Sequence, residues 1–278
     1  MTVYEVFKKT RSKLEESGVE NARFEAMLLV SKCLGTDRNL LPAHYTDVFD
    51  ETLASVLDSC LNRRLNGEPL QYVLGSWEFY SLDFKVGPGV LIPRPETELL
   101  CDEAISYIKK HSFTSAADLC AGSGCIGIAV AKNTGIAVSS YEKYSDAYDY
   151  LCKNIALNLA DTVTPVLADI TECDVLENKY DIILSNPPYI PDIQRGTLQR
   201  ELDFEPQSAL FTPDGLEFYR CIRDRWLKSL KAGGVVMVEI GVGQCDDVKA
   251  IFSGYFKNVE SVKDLSGIDR VIIGTHKL

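Results

Sequence analysis

The chain has 278 residues, 46% of them hydrophobic and 25% charged, the make-up of a globular protein with room for one large domain or a small one plus a medium one. A formal charge of −11 argues against a partner held chiefly through its phosphates, because that mode needs a Lys/Arg surface to displace counterions; only a local basic groove would allow it. No apolar run reaches the ~20 residues that span a bilayer, and the opening MTVYEVFKKT lacks the basic-then-apolar order of a signal peptide, so a cytoplasmic setting is expected.

In chain order, the first 70 residues or so read as helices. Thr2-x-x-Glu5 fits a capping box ahead of Val6 and Phe7. Asn21 is placed to cap a second helix carrying Phe24, Met27, Leu28 and Leu34, which Gly35 stops. Leu53, Val56, Leu57, Cys60, Leu61, Arg64 and Leu65 follow the 3-4 spacing of one apolar helix face, ended by Gly67 and Pro69. From Gln71 to Val86 the period falls to two, with Leu82, Phe84 and Val86 alternating against Ser81, Asp83 and Lys85, which predicts a strand pair. A proline-stiffened stretch, Gly87 to Glu98, follows and leads into a helix through Leu99, Leu100, Ala104, Ile105 and Ile108. It reads either as a linker or as a loop lining a site, where Arg94, Glu96 and Glu98 would have a use.

After Ser115 strands and helices alternate, the mark of a parallel sheet. The expected strands are Ala116–Leu119, Ile136–Tyr141, Val163–Leu167, Tyr180–Leu184 and Val235–Ile240, with two short ones around Asp269–Ile273. The expected helices are Ile128–Lys132, Ser145–Leu159, Leu216–Leu230 and Val248–Phe256, with Gly233-Gly234 as a turn.

Two stretches carry chemistry. Gly122-x-Gly124-x-x-Gly127 follows a strand, and Glu142 stands twenty residues beyond Gly122, the pattern of a turn that lets backbone approach a nucleotide while an acid takes the ribose hydroxyls. That pattern serves a nicotinamide cofactor and S-adenosylmethionine equally well. Tyr180 to Ile190 reads as a buried strand cut off at Asn186-Pro187-Pro188-Tyr189, where proline cannot donate to a sheet ladder. The Asn186 amide oxygen and the Pro187 carbonyl are two acceptors suited to one planar NH2 group, and Tyr189 offers it a flat face. Fixing both hydrogens of an amide or exocyclic amine restrains a nitrogen that is otherwise a poor nucleophile. Nine scattered cysteines without a C-x-x-C pair, and His44, His111 and His276 far apart, suggest free thiols and neither a metal site nor a Ser-His-Asp triad.

With Gly67–Tyr72, Leu91–Glu98, the glycine turn, the NPPY run, Glu205-Pro206, Asp214–Leu216 and Glu239–Gly241, the chain resembles the HemK/PrmC family of release-factor glutamine N5-methyltransferases over nearly its whole length. NPPY is shared with N6-adenine methyltransferases; the Leu91–Glu98 loop is the more specific feature. The resemblance implies an α/β protein: a Rossmann-like, seven-stranded class I methyltransferase sheet behind a small N-terminal helical bundle, joined by a β-hairpin. The implied boundaries are 1–72 for a substrate-recognition domain, 73–92 for the linker and 93–278 for the methyltransferase domain. It further implies S-adenosylmethionine as cofactor, held by Cys120, Ala121, Gly122, Ser123, Gly124, Glu142, Asp169, Ile170 and Asn186. Asn186, Pro187, Pro188, Tyr189 and Arg94 would hold a glutamine in a Gly-Gly-Gln loop, with Asn186, Pro187 and Tyr189 catalytic. The implied partner is a peptide-chain release factor, acted on by a monomer without nucleic acid or membrane. Alternatives are a nucleic-acid exocyclic-amine methyltransferase, a ribosomal-protein glutamine methyltransferase and a NAD-dependent oxidoreductase. Cys120 stands where the family has its first glycine, Glu142 where Asp is commoner, and Phe211-Thr212-Pro213 where Gly-Gly is common.

Overall fold

The computed structural model describes residues 1–177, 179–197 and 199–277, with the side chains of Arg200 and Lys277 set aside. The expected final residue of the methyltransferase domain, Leu278, lies outside them. The chain divides into two compact units, residues 1–76 with 200–204, and 77–199 with 205–278.

The first unit is helical: α1 (Val3–Glu16), α2 (Ala22–Leu34), α3 (Ala54–Leu65) and α4 (Leu70–Leu74). Thr2 and Glu5 close the capping box of α1, whereas Asn21 makes no side-chain cap on α2; Gly35 ends α2 in the left-handed conformation. Leu14, Ala26, Leu29, Val30 and Leu41 are fully buried in its core. Arg64, on the apolar face of α3, is buried there by pairing with Glu25 at 2.7 and 3.1 Å and with Glu201 at 2.7 Å. A buried guanidinium needs such partners, and Glu201 comes from the five-residue segment that the chain contributes from far downstream.

The second unit begins with a hairpin, β1 (Ser76–Phe79) and β2 (Leu82–Lys85). Gln71 to Leu74, expected as strand, belong to α4. The hairpin is no free linker either: Phe79 and Phe84 are buried in the core against α5 (Glu98–His111). The two compact units divide after residue 76, within β1. Then come β3 (Ser115–Leu119), α6 (Cys125–Thr134), β4 (Ala137–Glu142), α7 (Ser145–Leu157), β5 (Val163–Leu167) and β6 (Tyr180–Ser185). The chain continues through β7 (Ile190–Pro191), β8 (Phe211–Thr212), α8 (Glu217–Cys221), β9 (Leu230–Glu239), α9 (Cys245–Phe252), β10 (Phe256–Lys263) and β11 (Asp269–Lys277).

Seven strands form one sheet in the order β10-β11-β9-β6-β3-β4-β5, parallel except for β11 against its two neighbours. The crossovers turn one way from β3 to β4 and β5, and the other way to β6 and β9. Ligands bind at such a switch point, beyond the carboxyl ends of the strands. Three expectations shift at the carboxyl-terminal end. The helix after Leu216 is one α turn, α8, relayed by a π turn (Ile222–Trp226) and a short 3-10 turn. Gly233-Gly234 sit inside β9, and the last two strands are long, with Phe256 opening β10 rather than closing a helix.

Candidate functional site

Register brings the two motif turns together. Leu119 pairs with Tyr141 on one side and Ser185 on the other, so Cys120 leaves the sheet between Glu142 and Asn186. Ser185 pairs in turn with Val238, which sets Asn186 beside Glu239 at the end of β9. Above these strand ends lies a cavity of about 180 Å³, lined by Cys120, Ala121, Gly122 and Ser123, by Glu142, Asp169 and Ile170, and by Arg94, Asn186 and Pro188. A second cavity of about 40 Å³, walled by Pro187 and Tyr189, shares Leu91, Arg94, Asn186 and Ala209 with the first. The predicted residues therefore divide between a large chamber and a small one, with Asn186 and Arg94 in both.

Gly124 is the exception. It is not among the lining residues, and a Cβ there would lie 2.4 Å from Leu151 Cδ1. Its hydrogen side chain serves close packing of the turn against α7. Gly122, by contrast, would meet nothing within 4 Å, and its backbone N–H donates to Glu142 Oε2 at 2.8 Å. The Glu142 Oε1 atom accepts from the Tyr144 N–H at 2.8 Å. Burial raises the Glu142 carboxyl above its ordinary pKa, opposed by these backbone donors. Asp169 is held below its ordinary value: burial works against ionisation, and Lys143 at 2.7 Å with the Thr171 hydroxyl and N–H outweighs it. Cys120 has φ +61°, the left-handed region, which explains why glycine suits that position and marks the cysteine as locally strained.

The donor set decides between the two cofactor classes that the turn admits. A pyrophosphate needs free N–H groups and unspent cations, yet the Gly122 N–H is given to Glu142, Lys143 to Asp169 and Arg94 to Glu205. Carboxylates beside apolar walls suit a cationic sulfonium and ribose hydroxyls. The residues present therefore fit S-adenosylmethionine better than a dinucleotide.

Around the smaller chamber the structure adds residues that spacing alone did not single out. Asn186 Nδ2 donates to Thr97 Oγ1 at 3.1 Å. Tyr189 donates its hydroxyl to Glu239 Oε1 at 3.3 Å. The Gln244 amide donates to the carbonyls of Tyr189 (2.9 Å) and Gly215 (3.2 Å) and accepts from the Gly241 N–H (2.9 Å). A Cβ at Gly215 would lie 2.6 Å from the Tyr189 carbonyl, and one at Gly241 would lie 2.9 Å from Gln244 Oε1, so both glycines are needed for this close approach. Ile190-Pro191 pair in parallel with Phe211-Thr212, which gives that unusual stretch a structural role. Arg94, expected as a substrate-binding residue, is ion-paired with Glu205, which also accepts the Ile92 N–H at 3.0 Å. The rigid loop is thus latched by a buried carboxylate from Glu205-Pro206. Deeper still, Asn154 holds Lys85 through both backbone groups and donates to the Ser123 carbonyl at 2.9 Å, tying the hairpin to the glycine turn. The sequence signals for these supports were the Leu91–Glu98 loop, which contains Thr97, and the short Glu-Pro, Asp-Gly-Leu and Glu-Ile-Gly runs; nothing marked Asn154 or Gln244.

Comparison with known proteins agrees with this picture. Residues 5–75 match the PrmC N-terminal domain and residues 97–205 the methyltransferase small domain. A release factor glutamine methyltransferase of Geobacter sulfurreducens is 38% identical over 98% of this chain and 96% of its own length. Another, from Thermodesulfovibrio yellowstonii, is 39% identical over 90% and 91%. In three dimensions, a methyltransferase from Pyrococcus furiosus superposes with a TM-score of 0.53 at 17% identity, covering 80% of this chain and all of that one, a likeness of fold alone. No helix among the described residues is long and apolar enough to cross a membrane. With near-full-length relatives at this identity and a seven-stranded sheet built for a sulfonium cofactor, the chain belongs to the release factor glutamine methyltransferase family.

Proposed function

We propose that the protein methylates the side-chain amide nitrogen of the glutamine in the Gly-Gly-Gln loop of peptide-chain release factors, using S-adenosylmethionine. The observation that carries this is the small chamber, where Asn186 and Pro187 open beside the cofactor cavity. Among the described residues no donor reaches Asn186 Oδ1 or the Pro187 carbonyl. These two oxygens accept the two N–H bonds of one primary amide and hold its nitrogen against the larger chamber. Tyr189, with its hydroxyl anchored on Glu239 and its carbonyl on Gln244, supplies a fixed flat wall. Cys120 to Ser123 with Glu142, Asp169 and Ile170 are the residues that would hold S-adenosylmethionine. That cofactor, when bound, supplies an electrophilic methyl group on a sulfonium.

Catalysis in this reading is positioning: a delocalised amide lone pair gains reactivity when both hydrogens are restrained and the nitrogen faces the donor. Arg94 contributes by fixing the loop over the chambers through Glu205. The helical N-terminal domain, residues 1–72 by the family resemblance, serves recognition of the release factor. The protein works as a cytoplasmic monomer without nucleic acid. Incubation with purified release factor and labelled methyl donor, followed by mass spectrometry, tests the proposal. Label on the Gly-Gly-Gln glutamine supports it; label on RNA, DNA or another residue defeats it.

A further inference from the structure

We infer that one face of α7 is a template that sets where the Gly87–Glu98 stretch lies over the two chambers, with Asn154 as the positioning residue that ties this stretch to the cofactor turn. For the smaller chamber the inference rests on the proposed function; its cofactor half stands without it.

Asp146, Tyr150, Asn154 and Asn158 recur every four residues, so they form one row along α7 and its C-cap, with about 6 Å between neighbours. β2 and the chain that leaves it run past this row in the opposite direction, and alternate residues of a strand are about 7 Å apart. The two spacings are close enough for successive contacts to stay in step. Asn158 Nδ2 donates to the Asp83 carbonyl at 2.9 Å. Asn154 takes both backbone groups of Lys85: Oδ1 accepts the N–H at 2.6 Å and Nδ2 donates to the carbonyl at 3.1 Å. The Tyr150 hydroxyl occupies the place that a Gly87 Cβ would take, and a Cβ at Gly89 would lie 2.8 Å from that of Asp146. Four rungs thus fix residues 83, 85, 87 and 89, and the two glycines let the chain come in this close.

Register matters because the chain goes straight from the last rung into the cofactor chamber. Gly89, Leu91, Ile92, Pro93 and Arg94 line that chamber, and Leu91 and Arg94 also line the smaller one. Glu205 fastens the loop farther on, through the Ile92 N–H and Arg94. Asn154 has a third bond, from Nδ2 to the Ser123 carbonyl at 2.9 Å, so one fully buried side chain holds both the approach to the loop and the glycine turn. Both ends of its amide are committed. An aspartate of the same shape would still accept from Lys85 but would set an oxygen against two carbonyls. Simple packing of the hairpin needs no such match, since Phe79 and Phe84 already bury it.

The test uses Gly87→Ala, Tyr150→Phe, the double variant and Asn154→Asp in the full chain. It reads S-adenosylhomocysteine affinity by calorimetry, kcat on a release factor, and melting temperature. The alanine methyl meets the Tyr150 hydroxyl and pushes the loop off its rung. Affinity and kcat should each fall about 10-fold or more, since a shift of about 1 Å can cost about 100-fold. Phenylalanine removes the oxygen in the way, so the double variant should return to within about 3-fold of Tyr150→Phe alone, as residues in contact do not add. Asn154→Asp should lose affinity and kcat together. Wild-type affinity and kcat in Gly87→Ala, or a loss that Tyr150→Phe does not relieve, overturns the template. A lower melting temperature in Asn154→Asp with affinity and kcat intact overturns its positioning role. If the wild-type protein leaves the release factor unlabelled, the proposed function falls, and the affinity arm of the same comparison still decides for or against the template.

Discussion

The glycine turn after β3 and the Asn-Pro-Pro-Tyr turn after β6 are neighbours in the sheet, yet they are built in different ways. The first is largely local: its partners are Glu142 and Tyr141 on the adjacent strand and α7 behind it. The second is held by side chains from Thr97, Glu239 and Gln244 and by the strand pair with Phe211-Thr212. A turn that binds by backbone shape needs few distant partners. A turn that must aim one amide oxygen needs many, since a misplacement of about 1 Å can cost about 100-fold in rate.

That division of labour can be broken from either side. The largest effect is expected for Asn186→Ala: turnover should fall by a factor of at least about 100, with S-adenosylhomocysteine affinity within a few-fold of wild type in calorimetry. Glu142→Ala should do the converse, weakening the cofactor by about 10- to 100-fold, the range for hydrogen bonds to a charged group. A variant of either turn that lost affinity and turnover together would show that the two turns act as one.

Stability sharpens the same contrast. Burial raises the Glu239 carboxyl from an ordinary 4.5 to about 7. The folded protein therefore keeps a proton in that window that the unfolded chain releases, and stability from this group is present at low pH and lost as pH rises through about 7. Glu239→Gln should accordingly gain on wild type between those pH values, by on the order of 2 kcal/mol at pH 8, in denaturant titrations. Asp118 is raised in the same direction by burial, so the difference between the two proteins is the quantity to read. The smallest effect is expected for Cys120→Gly. The left-handed strain relieved and the partly buried thiol lost are each about 1 kcal/mol, so the net change should stay below about 1 kcal/mol.

Much of the sheet was legible because buried parallel strands read as short apolar runs between turn signals, as Tyr180–Leu184 does. The glycine turn was legible for a similar reason, since φ values near +55° at Gly122 and +81° at Gly124 demand particular residues in particular places. The end of β6 was legible in the prolines that follow Asn186. What stayed hidden depends on contacts between residues far apart in sequence. Nothing local to Gln244 announces that it braces Tyr189, and the worth of Gly215 and Gly241 is visible only when Gln244 and the Tyr189 carbonyl are seen against them. Nothing near Arg94 announces its ion-pair partner, Glu205, over one hundred residues away. The helix expected after Leu216 failed for the opposite reason: its apolar spacing is real, but the chain widens into a π turn there. In that turn the Trp226 indole donates to the Ile170 carbonyl at 2.9 Å, beneath the cofactor chamber.

The central claim is that the small chamber accepts a planar primary amide. The most direct test is methyl transfer to a release factor carrying its Gly-Gly-Gln glutamine, set beside the same factor with glutamate in that place. Glutamate has the same length and one oxygen in common but no N–H to give to Asn186 and Pro187. Label on the glutamine protein and none on the glutamate protein is the predicted result; equal labelling of both would contradict the account.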